Sequence, residues 1–488
     1  MAETVLEHQT SGRNEPPSHH GGLENLDTEH SYWIEDFDGA LPADLEGTFF
    51  RNGPGRQRIG ETKYGHWFDG DGMLCAFTFK DGRAHFKNAY VRTPKYLDET
   101  EAQDICYRGF GTQIPGGFRK NMGKMTANPA NTNTIYHGGK LLALNEGGHP
   151  WAVDPADLST VGEYDYDGEL AKGQVFSAHG RVHQASGDYI NFGAGVSGFG
   201  LSGPKPCLHI YRINPAGKMV KKGFVPLAHF PFCHDFVITD RYAIFFVGSI
   251  VFDGMVGVML GTKTISDVVQ YDQNIPMRAL VVDLETLELV RSFETQHGAI
   301  VHFGNAYERG DEIVVDGCYQ EGFEANKTLV DVFAAEAKFG GGYFKRYVLN
   351  LKTGTLSEAQ IVDTECEFPT FNLHYSGKPQ QYTYTACSID NGYNGFFNGF
   401  QKLSTDGDST CITLPPGYYG SEPLFVPAKD AKAEDDGYLL EVVYNGFEHK
   451  SELQIYRADN IDEQVARLPL QHHLPHQFHG YYSAETFI

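Results

Sequence analysis

The stretch Leu74-Cys75-Ala76-Phe77-Thr78-Phe79-Lys80-Asp81-Gly82-Arg83-Ala84-His85-Phe86 holds two alternating apolar runs around an Asp-Gly pair. Alternation with period two is the mark of a half-buried strand, and Asp-Gly supplies the tight turn that folds two strands into a hairpin. The same unit recurs six more times: 151–161 around Asp154-Pro155, 208–220 around Asn214-Pro215, 279–290 around Asp283, 347–356 around Asn350, 400–414 around Asp406-Gly407, and 453–461 around Asp459. The gaps between successive turns run from 53 to 73 residues, room for one four-stranded blade plus loop insertions. The reading is an all-β chain, a seven-bladed β-propeller. A ring of blades leaves no open sheet edge only if the first blade shares strands with the end of the chain, which brings His479 back beside the N-terminal blade.

The composition agrees with many short strands joined by turns, with 56 glycines and 13% aromatic residues among 488. A formal net charge of −24 and the lack of any basic stripe exclude nucleic acid as a partner. Eight scattered cysteines without a CxxC pair read as free thiols in a reducing cytoplasm. Residues 1–28 are polar, lack a signal-peptide core and read as a flexible tail, leaving 29–488 as a single domain. Tyr242 to Gly261 is the most apolar run; Asp253 and three glycines argue against a spanning helix and for a buried strand pair.

Of 21 histidines, four stand in apolar or small-residue contexts at expected strand starts: His179, His234, His302 and His479. Each falls on a different blade of the repeat map, and inner strands converge on the axis. An all-imidazole site suits iron, copper, zinc or nickel, and the spacing chooses none of them.

Ordered motifs then narrow the reading: Arg51-Asn52-Gly53-Pro54-Gly55, Phe68-Asp69-Gly70-Asp71-Gly72-Met73, Glu146-Gly147-Gly148, His234-Asp235-Phe236, His302 with Asn305-Ala306 and Glu308, Glu367-Phe368-Pro369, Phe425-Val426-Pro427, Glu434-Asp435-Asp436-Gly437 and Phe478-His479-Gly480. From about Tyr32 onward the chain resembles the carotenoid cleavage oxygenase family, above all its bacterial apocarotenoid-cleaving members. The resemblance implies a seven-bladed propeller under a dome of loops and short helices. It implies an axial Fe(II) held by His179, His234, His302 and His479, rather than by His183 or His476, with Glu146, Glu367 and Glu422 behind the ligands. The activity it implies is O2-dependent cleavage of a C=C bond in an apolar conjugated substrate, an apocarotenoid or carotenoid, to two carbonyl products. Thr132, Asn145, Phe236 and Tyr319 are expected around the substrate and O2. The segment 107–115 is expected at the entrance, where a peripheral membrane contact would deliver substrate. Asn145 departs from relatives: apocarotenoid cleavers can carry a large aromatic there and stilbene cleavers a lysine, so stilbenoid or phenylpropanoid cleavage stands as the alternative. A non-catalytic, carotenoid-binding propeller is the rival from another class.

Overall fold

The computed structural model describes residues 16–200, 203–323, 329–330, 341–389 and 396–488. All seven expected hairpins are antiparallel strand pairs. Blade 1 runs Ser31–Ile34, Arg83–Tyr90, Asp71–Lys80, Gly47–Arg56 and His479–Ser483, so the last strand of the chain closes the ring. Asn52 lies opposite His479 in that pairing. Blade 2 is built from Asn133–His137, Lys140–Leu144, Trp151–Val153 and Thr160–Glu163, and blade 3 from Arg181–Val182, Tyr189–Gly200, Gly203–Ile213 and Met219–Pro226. Blade 4 comprises Val237–Ile238, Tyr242–Val247, Arg278–Asp283 and Leu289–Glu294. Blades 5 and 6 form one seven-stranded sheet from Ala299–Arg309 to Ser409–Thr413, joined by the long strand Leu356–Thr370. Blade 7 centres on Gly437–Asn445, Lys450–Arg457 and Gln464–Pro469, with Leu424–Pro427 alongside.

The motif Arg51-Asn52-Gly53 explains how ring closure is fixed. The Asn52 amide donates to the carbonyls of Ala130 (3.0 Å) and Asn133 (2.8 Å), tying blade 1 to blade 2. A Cβ on Gly53 would stand 2.5 Å from the Cα of Gln477, and one on Gly480 would stand 2.7 Å from Arg51 Cδ. Any side chain at either position would push the closing strand, and His479 with it, away from the axis.

Two excursions, residues 91–130 and 248–277, leave the blades and pack together at the ligand end. Asp69 pins the first of them, accepting from Gly111 N (2.9 Å), Thr112 Oγ1 (2.6 Å) and Phe110 N (2.5 Å). Phe110 in turn packs on Phe68 (5.7 Å between centroids) and Phe68 on Phe478 (5.8 Å), an aromatic file from the excursion to the neighbour of His479.

Two expectations are corrected. The tail assigned to 1–28 is wrong for 16–28: His19, Leu23 and Leu26 are buried, and His19 stacks on Phe396 at 5.0 Å; residues 1–15 lie outside the described residues. The run Tyr242 to Gly261 is no strand pair. Tyr242–Val247 belongs to blade 4, Ile250–Phe252 pairs with Val269–Tyr271, and Met255–Met259 is a short helix with exposed side chains.

Candidate metal centre

Every blade delivers a side chain from its inner strand or the residues beside it. His479 opens the closing strand of blade 1, His179 precedes Arg181–Val182 in blade 3, His234 precedes Val237–Ile238 in blade 4, and His302 lies within Ala299–Arg309 of blade 5. Blade 6 brings Glu367, blade 7 Glu422, and blade 2 both Thr132 and Glu146. One potential ligand atom from each of the four histidines lies within 4.8 Å of the others.

The orientation of the rings tests whether a cation fits. His302 Nδ1 meets Glu367 Oε2 at 2.6 Å and His479 Nδ1 meets Glu422 Oε1 at 2.8 Å, while His234 Nδ1 is in contact with Glu146 Oε1. A carboxylate on Nδ1 fixes the proton there and leaves a lone pair on Nε2. Yet His234 Nε2 is 3.0 Å from His179 Nε2 and 3.2 Å from His302 Nε2. Lone pairs pointed at one another across 3 Å repel unless a positive charge lies between them, so the donor set fits a metal ion. Neutral imidazoles are also what the surroundings favour: burial, and then the neighbouring imidazoles, push His179 and His479 well below the usual histidine range. His234 is opposite in net direction, since burial lowers it but Glu146 raises it further.

Charge balance points the same way. Glu146, Glu367 and Glu422 bring three negative charges, and the buried Arg51 guanidinium brings one positive charge, donating to the Glu422 carbonyl (3.0 Å) and to Glu422 Oε2 (3.4 Å). The remaining two negative charges match a divalent cation. Burial pushes Glu422 up to about 7 against Arg51 and the Gly480 N–H, and a dication at the imidazoles would draw it down again. Among the described residues, His179 has no carboxylate within hydrogen-bond reach of its ring. Asp235 Oδ1 is 3.8 Å from its Nδ1 and is taken up by Arg181 at 2.9 Å.

A second unit forms beside Glu146. Asn145 Nδ2 donates to Thr132 Oγ1 and to Asn131 Oδ1, both at 3.0 Å, and its Oδ1 accepts from Gly147 N at 2.7 Å. Thr132 Oγ1 donates to Asn131 Oδ1 at 3.1 Å. Thr132 and Asn145 are therefore neighbours beside Glu146, with the asparagine fixing the threonine hydroxyl.

Phe236 and Tyr319 are not at the site. Phe236 is fully buried between blades 3 and 4, stacked on Phe245 at 5.0 Å and edge-on to Phe192 at 5.2 Å. Tyr319 lies in the blade 5 core cluster, donates to His297 O at 2.9 Å and holds Lys345 Nζ over its ring at 3.5 Å. Successive strand residues face opposite ways: it is Asp235 that lines the axial cavity, and Gln320 whose Nε2 reaches Glu367 Oε1 at 3.3 Å. The reading of the sequence missed Arg51, Gln320 and Phe368 as site residues. Phe368 has φ of +55°, a conformation that costs a bulky residue about 1–3 kcal/mol. The turn lays its ring 5.0 Å from His302 and 5.2 Å from His479, while its N–H donates to Glu367 Oε2 at 3.0 Å.

Exchanging Glu367 for glutamine removes the charge but keeps the shape. Metal affinity is expected to fall by roughly 10–100-fold, read by competition with a chelator; unchanged affinity would remove Glu367 from the site.

Comparison with known proteins agrees with this geometry. The family model described as "Retinal pigment epithelial membrane protein" matches residues 23–484. The chain is 34% identical to apocarotenoid-15,15'-oxygenase of Synechocystis sp. over 471 residues, covering 94% of each. It is 30% identical to a carotenoid 9,10(9',10')-cleavage dioxygenase of Crocus sativus (92% of this chain, 85% of that one), and 27% identical to lignostilbene-alpha,beta-dioxygenase isozyme III of Sphingomonas paucimobilis (94% and 95%). Superposition on the crystal structure of the cobalt-substituted Synechocystis enzyme gives a TM-score of 0.87 at 33% identity, covering 95% of this chain and 98% of that one. With a closed ring of seven blades, an axial cluster of four histidines and matches along nearly its whole length, the chain belongs to the carotenoid cleavage oxygenase family.

Proposed function

We propose that His179, His234, His302 and His479 hold Fe(II), and that residues 16–488 act as one catalytic domain that cleaves a C=C bond of an apocarotenoid or carotenoid to two carbonyl products. The observation that carries this reading is the convergence of four imidazoles on one point, three of which turn Nδ1 to Glu146, Glu367 and Glu422 and so aim Nε2 at the axis. Bound there, Fe(II) supplies the activation of O2 that attack on an alkene requires.

The chain's own residues orient and exclude. The glutamates fix the imidazole tautomers and aim the rings. The Asn145 amide holds the Thr132 hydroxyl away from free rotation beside Glu146. Phe368 covers His302 and His479 with apolar surface and packs in turn on the buried cluster that holds Phe478. Phe110, Phe232, Phe252 and Val301 pack on one buried cluster that links the excursions to His234 and His302, a lining suited to a polyene. No titrating acid or nucleophile is needed for the cleavage, and none is assigned.

Stilbenoid cleavage is the second reading, supported by the lignostilbene-cleaving relative and by Asn145, whose amide is polar where a large aromatic side chain would fill space. Iron-loaded protein incubated in parallel with an apocarotenal and a hydroxystilbene separates the two. Two carbonyl products from the apocarotenal alone are expected; products from the stilbene alone would replace the main reading with the second.

Delivery of so apolar a substrate favours a cytoplasmic protein in peripheral contact with a membrane near 107–115. No helix among the described residues is long and apolar enough to cross one.

A further inference from the structure

The cysteines look scattered along the chain, but four of them form a file across the shared sheet of blades 5 and 6. Cys318 stands on Glu312–Gln320, Cys366 on the joining strand Leu356–Thr370, Cys387 on Tyr382–Ser388 and Cys411 on Ser409–Thr413. The first three are fully buried in one cluster with Phe344, Val362 and Leu403, whereas Cys411 is exposed. The thiol of Cys411 is in contact with that of Cys387, and the thiol of Cys366 with that of Cys318.

The middle of the file is closed by strand register. Cys366 and Cys387 lie directly opposite each other in an antiparallel pair. Residues so placed have Cα atoms about 4.5–5.5 Å apart, within the range of about 4.4–6.8 Å that a disulfide spans. Cys318 is cut off from Cys366 by the intervening strand Gly342–Asn350, which puts about 10 Å between their backbones. Cys411 is also two strands from Cys387, but Ser409–Thr413 is the outermost strand of the sheet, paired on one side only, and can move in.

Reactivity is graded along the file. Contact with the Cys387 thiol brings Cys411 down to about 7, against the effect of burial and helped by the Thr364 hydroxyl. The same contact, and then burial, push Cys387 far above the usual thiol range. Cys411 is therefore the group that meets solvent as a thiolate, the form that reacts with oxidants.

We propose that the file is a thiol relay for hydrogen peroxide, in which Cys411 takes the oxidant and Cys366 and Cys387 end as a cross-strand disulfide that displaces Glu367. The Cys411 thiolate attacks the peroxide, the O–O bond breaks, and a sulfenic acid and hydroxide result. The Cys387 sulfur displaces the sulfenic hydroxyl, which leaves with the Cys387 proton as water. The Cys366 sulfur then attacks Cys387 and expels the Cys411 thiolate, the better leaving group of that pair; its proton neutralises the hydroxide from the first step. The sum is two thiols and one peroxide giving one disulfide and two waters, with Cys411 restored. Glu367 directly follows Cys366, and its Oε2 meets His302 Nδ1 at 2.6 Å. A bond that draws Cys366 towards Cys387 turns the strand where that carboxylate is aimed. This last link alone rests on the metal reading above.

The test uses the full chain loaded with Zn(II), which has no redox chemistry of its own, exposed to equimolar hydrogen peroxide at neutral pH. Peptide mass mapping is expected to find a Cys366–Cys387 cross-link, formed at least about tenfold more slowly in Cys411→Ser. That variant should keep the melting temperature of the unaltered chain, because Cys411 is exposed. The oxidised chain should hold zinc roughly tenfold more weakly in competition with a chelator, and reduction should restore the affinity. Absence of the cross-link, its formation at the same rate in Cys411→Ser, or a Cys318–Cys366 bond in its place overturns the relay. A cross-link that leaves zinc affinity unchanged overturns the link to Glu367 and leaves the relay standing. A chain that takes up no zinc contradicts the metal reading, and the peptide map still decides the relay.

Discussion

Replacing His302 with alanine is expected to cost the chain its metal and its oxygenase activity while leaving the fold in place. Metal held by four side chains is worth about 10–16 kcal/mol in small structural sites. A quarter of that is roughly 3 kcal/mol, or about two orders of magnitude in affinity. The loss goes beyond the missing nitrogen, because Glu367 then faces the axis with no imidazole to hold and a charge that had been balanced is left over. The blade itself should survive: the core of blade 5 rests on Ile300, Phe303, Ala306, Ile313 and Val315, which pack on one another and on Tyr347 and Leu349 without the imidazole. Metal analysis beside a melting curve checks both halves. Full metal content and turnover in the alanine variant would remove His302 from the centre.

The second large effect is on stability. Arg51 is fully buried and reaches Glu422 and the Phe478 carbonyl, and burial pushes its own pKa down while Glu422 and Glu441 pull it back up. Methionine fills a similar volume without the charge. In Arg51→Met the glutamates lose their counter-charge; Glu441, already pushed up to about 8 by burial, is left with its hydrogen bonding to Ser421. Breaking a buried pair from one side costs about 3–5 kcal/mol, so the melting temperature should fall by several degrees at pH 7. Because the unpaired carboxyls are then easier to protonate than to leave charged, part of the loss should return as the pH is lowered towards 5. A melting temperature equal to that of the unaltered chain at both pH values would contradict this view of Arg51.

How far the sequence could be read depends on the range of the interaction responsible. Turn chemistry is local, so Asp81-Gly82 and its six counterparts announce their hairpins directly, and the count of blades follows. The ligand histidines were chosen by motif context, because nothing in spacing separates His479 from His476 three residues earlier. What separates them is tertiary. His476 packs on Phe396 at 4.3 Å and meets the carbonyl of His19 at 3.1 Å, whereas His479 enters a strand that faces the axis. His183 likewise sits in an exposed turn against Ser186.

The errors share one cause. Residues 16–28 look like a polar tail because their few apolar groups, Leu23 and Leu26, find their partners elsewhere in the fold, Leu26 in the cluster of Phe49, Met73 and Leu474 and Leu23 in that of Trp67, Phe396 and Phe478. Phe236 and Tyr319 were misplaced by one residue of strand parity. The inner strand Val237–Ile238 is only two residues long, too short for its own alternation to show which neighbour faces inward. Arg51 and Phe368 stand within recognisable motifs, yet their roles emerge only once Glu422 and Glu367 lie beside them.

The central claim is that four imidazoles and three carboxylates make a site for one divalent iron. Anaerobic loading with Fe(II), removal of loose metal and native mass measurement of the intact chain test it most directly. About one iron retained per chain is expected. A chain that retains none, or one that retains iron equally well when His302 and His479 are both alanine, contradicts it.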